Sequence, residues 1–137
     1  MSDAQAKGGA ADAPYWRALS EGRLSIQRCE ACNHWHWPAV VRCGECGAWE
    51  PPWRDIAAEG ALFSWTKTVH PFGGSEGIGV PYTTVLVALP QADGRRLLGL
   101  WEGADDELVE GAPVTARIGA TRVGASDVPS LHWRRAS

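Results

Sequence analysis

From residue 59 onward, apolar and polar positions alternate with a period of two, which places neighbouring side chains on opposite faces of a strand. Ala61, Leu62, Phe63, Ser64, Trp65, Thr66, Lys67, Thr68 and Val69 mix β-branched and aromatic residues in this way and predict a strand over 61–69. Residues 82–89 and 95–101 predict two more, joined as a hairpin through a turn at 91–94. The acidic stretch 102–111 reads as a turn or a single helical turn, 113–121 as a fourth strand, and 131–134 as a short fifth. A glycine-rich segment, 71–81, separates the first two strands and reads as a mobile loop. Five strands in about 75 residues predict a small closed barrel of the OB type over residues 59–137.

The N-terminal part has a different texture. Asp12 and Pro14 look like a helix start, with Asp12 as N-cap, and Gly22 looks like the stop. Tyr15, Trp16 and Leu19 give the intervening turns an apolar side, so a short helix is expected over 14–23. Residues 1–13 are polar and rich in Ala and Gly, and are read as a disordered tail. Leu24, Ile26 and Arg28 alternate with Ser25 and Gln27, a strand that leads into Cys29. The fold class expected is therefore mainly β: one short N-terminal helix, a metal ribbon over 24–58, and a five-stranded barrel.

The four cysteines change the picture most. Cys29-x2-Cys32 and Cys43-x2-Cys46 are two knuckles joined by a ten-residue link. Two intervening residues let both sulfurs of a knuckle face one ion, and four thiolates complete a tetrahedral shell. The pattern predicts a closed structural zinc site; iron also suits four thiolates. Gly44 and Gly47 flank the second knuckle, and Asn33 occupies in the first the position of Gly47 in the second. A closed shell leaves no open coordination position for metal catalysis. With the sulfurs sufficient, His34 and His36 are read as surface residues of the link.

Charge excludes little but points one way. Lys and Arg total 13 and Asp and Glu 16, a formal net charge of -3. Nucleic-acid binding through phosphate neutralisation normally shows a basic excess, which this chain lacks, so a nucleic-acid module is the second reading rather than the first. The N-terminus has no apolar core of the signal-peptide kind and no stretch approaches the length of a membrane helix, so the expected location is cytoplasmic. Eight Trp are too many for so small an interior. Trp65 and Trp101 are expected in the core; Trp16, Trp35, Trp37, Trp49 and Trp53 are divided between a thin metal-stapled core and an interface.

No catalytic set is legible. The segment 73–79 lacks the Lys-Ser/Thr of a phosphate-binding loop and precedes a strand rather than a helix. Ser64, Ser75 and Ser126 have no nucleophile-elbow context, and His70 stands alone before Pro71.

The residues as a whole resemble a known family. Gly22-Arg23-Leu24-Ser25-Ile26-Gln27-Arg28-Cys29, Pro38 before the second knuckle, Trp53 after it, and Gly60-Ala61-Leu62-Phe63-Ser64-Trp65-Thr66 follow the layout of the rubredoxin-like zinc-ribbon/OB-fold proteins, long labelled only as a domain of unknown function. Pro81-Tyr82, the strand at Arg96-Leu97-Leu98-Gly99, and Gly111-Ala112-Pro113-Val114 extend the resemblance over roughly 14–134. The chain departs from the usual pattern at Asn33, where Gly is common, and in its Trp35-His36-Trp37 cluster. Members of that family are small accessory subunits of thiolase-superfamily enzymes acting on acyl-CoA thioesters by thiolysis, acyl transfer or retro-aldol cleavage. The resemblance implies a heteromeric partner that carries the catalytic residues and a small subunit that helps form the acyl-CoA site. Residues expected to touch partner or acyl-CoA are Trp35, Trp37, Trp53, His70, Phe72 and Tyr82.

Overall fold

The structure, a computed structural model, describes residues 10–137. The segment read as a disordered tail lies mostly outside these residues. Helix α1 spans Ala13–Ser20, shorter than the 14–23 expected, with its stop at the predicted Gly22. Gly22 takes φ +81°, its N–H donates to the Leu19 carbonyl, and the Arg23 N–H donates to the Ala18 carbonyl. This pair of bonds satisfies the last carbonyls around a left-handed residue. The expected N-cap is corrected: Asp12 makes no capping bond, and its carboxylate instead accepts the Trp16 indole N–H at 3.2 Å.

Strand β1 (Leu24–Arg28) is the centre of a three-stranded antiparallel sheet, flanked by β2 (Trp35–His36) and β3 (Trp53–Ile56). It is buried on both faces. Leu24 and Ile26 enter the core, while Ser25 and Gln27 are also almost inaccessible. The ribbon hangs from the end of this strand, since Cys29 follows Arg28 directly.

Strands β4 (Glu59–Thr68), β5 (Tyr82–Leu89), β6 (Arg95–Trp101), β7 (Pro113–Val123) and β8 (Ser126–Arg135) close a barrel in the order β4-β5-β6-β8-β7. All neighbours are antiparallel except β6 and β8, which meet through a short parallel register at Leu100–His132 and Trp101–Trp133. This is the OB arrangement expected from the strand count. One continuous core joins Tyr15, Leu19, Leu24 and Ile26 to Leu62, Val85, Val87, Leu97, Val114 and Trp133.

Two expectations about the barrel are corrected. The fifth strand is ten residues long rather than four. Trp65 is 39% exposed and outside the core, whereas Trp133 is fully buried. The cause is the short reach of β7, which pairs with β4 only at Glu59, Gly60 and Ala61. A bulge at Phe63 follows, and Trp65 then pairs with Val85 but, among the described residues, has no strand on its other side. Trp101 is half-buried against the core.

Candidate functional site

The two knuckles repeat one local design. The Asn33 N–H donates to the Cys29 carbonyl at 2.7 Å, and the Gly47 N–H to the Cys43 carbonyl at 2.9 Å. The Cys29 N–H donates to the His34 carbonyl at 2.9 Å, and the Cys43 N–H to the Ala48 carbonyl at 2.8 Å. Each turn needs a left-handed residue after its second cysteine; Asn33 and Gly47 supply it with φ of 63° and 82°. Gly44 carries no such angle.

The turns bring the four sulfurs within 4.8 Å of one another, with Cys29 and Cys43 buried and Cys32 and Cys46 exposed. Contacts across the knuckles are 3.5 Å for Cys29–Cys46 and 3.6 Å for Cys32–Cys43, far from disulfide length, and all four cysteines are free. A four-sulfur cage of this size, with matched turns, fits a structural metal ion. The Cys43 thiol is lowered to about 5, first because the Cys46 N–H donates to it; desolvation opposes, while the Glu45 N–H and His36 add to the lowering.

The link does more than cover the cage. His36 is half-buried with Nε2 3.2 Å from Cys43 Sγ, and His34 Nε2 lies 3.2 Å from Arg95 Nη2 at the start of β6. Both were expected on the surface. Instead one braces a sulfur and the other ties ribbon to barrel. Alternation was the available signal, since adjacent residues of β2 face opposite ways, which turns His36 away from Trp35.

The other expected site residues fall into separate groups. Trp35, Trp37 and Trp53 are half-buried and pack against the core. Trp37 lies on Tyr15 with ring centroids 4.3 Å apart, and with Pro38, Leu86, Arg95 and Arg96 it lines a shallow pocket between ribbon and barrel. His70 and Phe72 are exposed and meet edge to face with ring centroids 4.6 Å apart, at the start of the glycine-rich loop. That loop is tied back onto the β7–β8 turn: the Gly124 N–H donates to the Gly74 carbonyl at 3.2 Å, and Gly77 sits against Arg122 so closely that a Cβ there would lie 2.5 Å from it. Tyr82 lines a cleft of about 470 Å³ with Lys67, Thr83, Trp101, Asp105 and His132. Lys67 and Asp105 pair across its mouth.

One polar file was missed from the sequence. Ser130 Oγ lies 2.9 Å from His132 Nε2, and His132 Nδ1 lies 3.3 Å from Glu102 Oε1, which is itself paired with Arg117. Ser130 and His132 are two apart on β8 and so share a face. The Ser130 hydroxyl is also held by Thr121 Oγ1 at 2.6 Å, and Glu102 by the Arg117 guanidinium. Burial holds His132 below the ordinary imidazole range; Arg117 adds to this and Glu102 opposes it. The file satisfies a buried imidazole from both sides.

A metal ribbon on a short helix, joined through one core to a five-stranded OB barrel, defines the class of protein. Residues 16–50 match the model of the ChsH2 rubredoxin-like zinc ribbon domain. Across the whole chain, the structural neighbours are members of the DUF35 family. A chain of the Ltp2-ChsH2(DUF35) aldolase aligns over 96% of this chain and 98% of its own length, with a TM-score of 0.79 and 26% identity. A DUF35-family protein of unknown function from Sulfolobus solfataricus aligns over 99% and 93%, with a TM-score of 0.62 and 21% identity, a likeness of fold. Over 105 residues, 75% of this chain, there is 32% identity to a probable enoyl-CoA hydratase alpha subunit of Thermomonospora curvata. The aligned stretch spans about a third (32%) of that relative's length. Among the described residues, no helix is long and apolar enough to cross a membrane.

Proposed function

We propose that this chain is a non-catalytic accessory subunit of a cytoplasmic acyl-CoA enzyme. It docks on a thiolase-like catalytic subunit (a thiolase, acyltransferase or acyl-CoA retro-aldolase), stabilises it and helps form its acyl-CoA site. The observation that carries the reading is the end-to-end likeness to a chain of the Ltp2-ChsH2(DUF35) aldolase, whose name joins two components. A relative named as a subunit of an enoyl-CoA hydratase points to the same substrate class.

The site supports this division of labour. Four thiolates give a closed shell suited to zinc, which would stiffen the ribbon and offer no position to a substrate. Cys29, Cys32, Cys43 and Cys46 would hold it. Trp37 beside Arg95 and Arg96, the His70–Phe72 pair, and Tyr82 in the cleft are the groups proposed to face partner or acyl-CoA, with Trp35 and Trp53 supporting the ribbon from the core side.

The test is reconstitution. The chain alone should turn over no acyl-CoA thioester. Mixed with its thiolase-like partner subunit, it should co-elute and raise activity or solubility. A partner that works at full rate alone and never co-elutes with this chain overturns the reading.

A further inference from the structure

Strand β4 is bare where a barrel strand should be covered. A strand with one face on a core alternates buried and exposed residues. Along β4 only Leu62 is buried, and the five residues 63–67 are exposed in succession. One edge of the strand pairs with β5 from Ala61 to Thr68. The other pairs with β7 only from Glu59 to Ala61, and Leu62 exchanges its last two bonds with Gly111 and Ala112. Beyond that point, among the described residues, the outward backbone groups of 63–68 have no partner.

Such an edge is a template for another strand, and proteins usually blunt it with charge, proline or a covering element. Here Lys67 is the one charge, and it is engaged by Asp105. The side chains beside the edge are apolar instead: Phe63 is 45% exposed, with Arg96 4.2 Å above its ring, and Trp65 adds a second aromatic. Trp65 pairs with the buried Val85 and lies on that face, while on the opposite, outer face the row Ser64–Leu86–Leu98 runs across β5 and β6 to a Leu98 that is 64% exposed. Leu86 and Arg96 in turn border Trp37 of the ribbon. Free N–H and C=O groups along an edge call for an extended backbone, and alternate apolar side chains call for apolar ones opposite.

We infer that residues 63–68 of β4 receive an extended segment of the catalytic subunit, added antiparallel or parallel as a further strand of the barrel sheet. This rests on the accessory-subunit reading and gives it a contact. The surface runs unbroken from β4 to the ribbon, so one partner covers both modules.

Hydrogen–deuterium exchange on the full chain, alone and in complex with its catalytic subunit, tests the inference. In the free chain, amides of 63–68 that face away from β5 should exchange freely. In the complex they should slow at least tenfold. Trp65→Lys, placed at an exposed position outside the core, should weaken association at least tenfold while metal content stays unchanged. If the complex forms and these amides stay unprotected, the inference is wrong and the accessory-subunit reading stands. If they are already protected in the isolated chain, by its own residues or a second copy, the inference is equally wrong. If no complex forms, both fall together.

Discussion

Gln27 grips the backbone of Val40 with both ends of its side-chain amide. Its Oε1 accepts the Val40 N–H at 2.8 Å, and its Nε2 donates to the Val40 carbonyl at 2.8 Å. The same Nε2 reaches the Pro51 carbonyl at 3.1 Å. A buried side chain thus does for the Trp-rich link what a neighbouring strand would do, and fixes its exit over the cage. Gln27→Met keeps the volume but leaves three main-chain groups unpaired. Each buried unsatisfied group costs about 1–3 kcal/mol, partly relieved by relaxation, so the variant should lose about 2–3 kcal/mol in urea unfolding. An unchanged midpoint would show that water replaces the amide at no cost.

Elemental analysis should find one zinc per chain, the count four thiolates imply. Cys43→Ala removes a buried sulfur that also carries the Cys46 N–H and His36 contacts. It should lose the metal and precipitate, because binding energy at such a site is folding energy. A soluble, folded, metal-free variant would contradict the structural role.

Gly99 lies directly under the Trp133 indole of the neighbouring strand β8. A Cβ there would lie 2.5 Å from Trp133 Cδ1 and 2.8 Å from the Leu131 carbonyl. Overpacking typically costs about 1–3 kcal/mol, and Trp133 has no free side to retreat to, so Gly99→Ala should fall at the upper end of that range. Thermal melts of the two proteins compare them directly.

His132 makes stability fall in acid. Its pKa is depressed in the fold, by burial first and by Arg117 second, against an ordinary value near 6.5 once unfolded. Above about pH 6.5 both states hold it neutral and its contribution is complete. As pH falls below that value, the unfolded chain takes a proton that the folded chain refuses, and stability declines until the folded pKa is passed. The difference in unfolding free energy between wild type and His132→Gln should therefore shrink between pH 7 and pH 5. A difference independent of pH would mean that the imidazole titrates alike in both states.

Much of this was legible. The bounds of β5 and β6 were readable because each is a largely apolar run closed by turn residues and the two pair with each other from Thr84–Leu100 to Leu89–Arg95, while β5 alternates without a break. Cysteine spacing identified the cage because two-residue knuckles allow few other geometries. β8 looked short because Pro129 normally breaks a strand, yet here it pairs with Ala120 on one side, and β6 joins the other side only at His132 and Trp133. Trp65 and Trp133 could not be told apart by pattern, since both lie in alternating strands. What separates them is where β7 leaves β4, a long-range fact. Gln27 was invisible for the same reason, its partners lying 13 and 24 residues away.

Because Tyr15, Leu19, Leu24 and Ile26 share one core with the barrel, the ribbon is not a detachable finger. β1 carries two of those side chains inward and delivers Cys29 at its end. Loosening the cage therefore tugs on a strand that the barrel leans against. Heated, the chain should give a single calorimetric peak whose van't Hoff and calorimetric enthalpies agree, and lowering the free metal concentration with a metal buffer should move that peak down without splitting it. An ion at one end of the molecule thereby sets the temperature at which a barrel it does not touch comes apart.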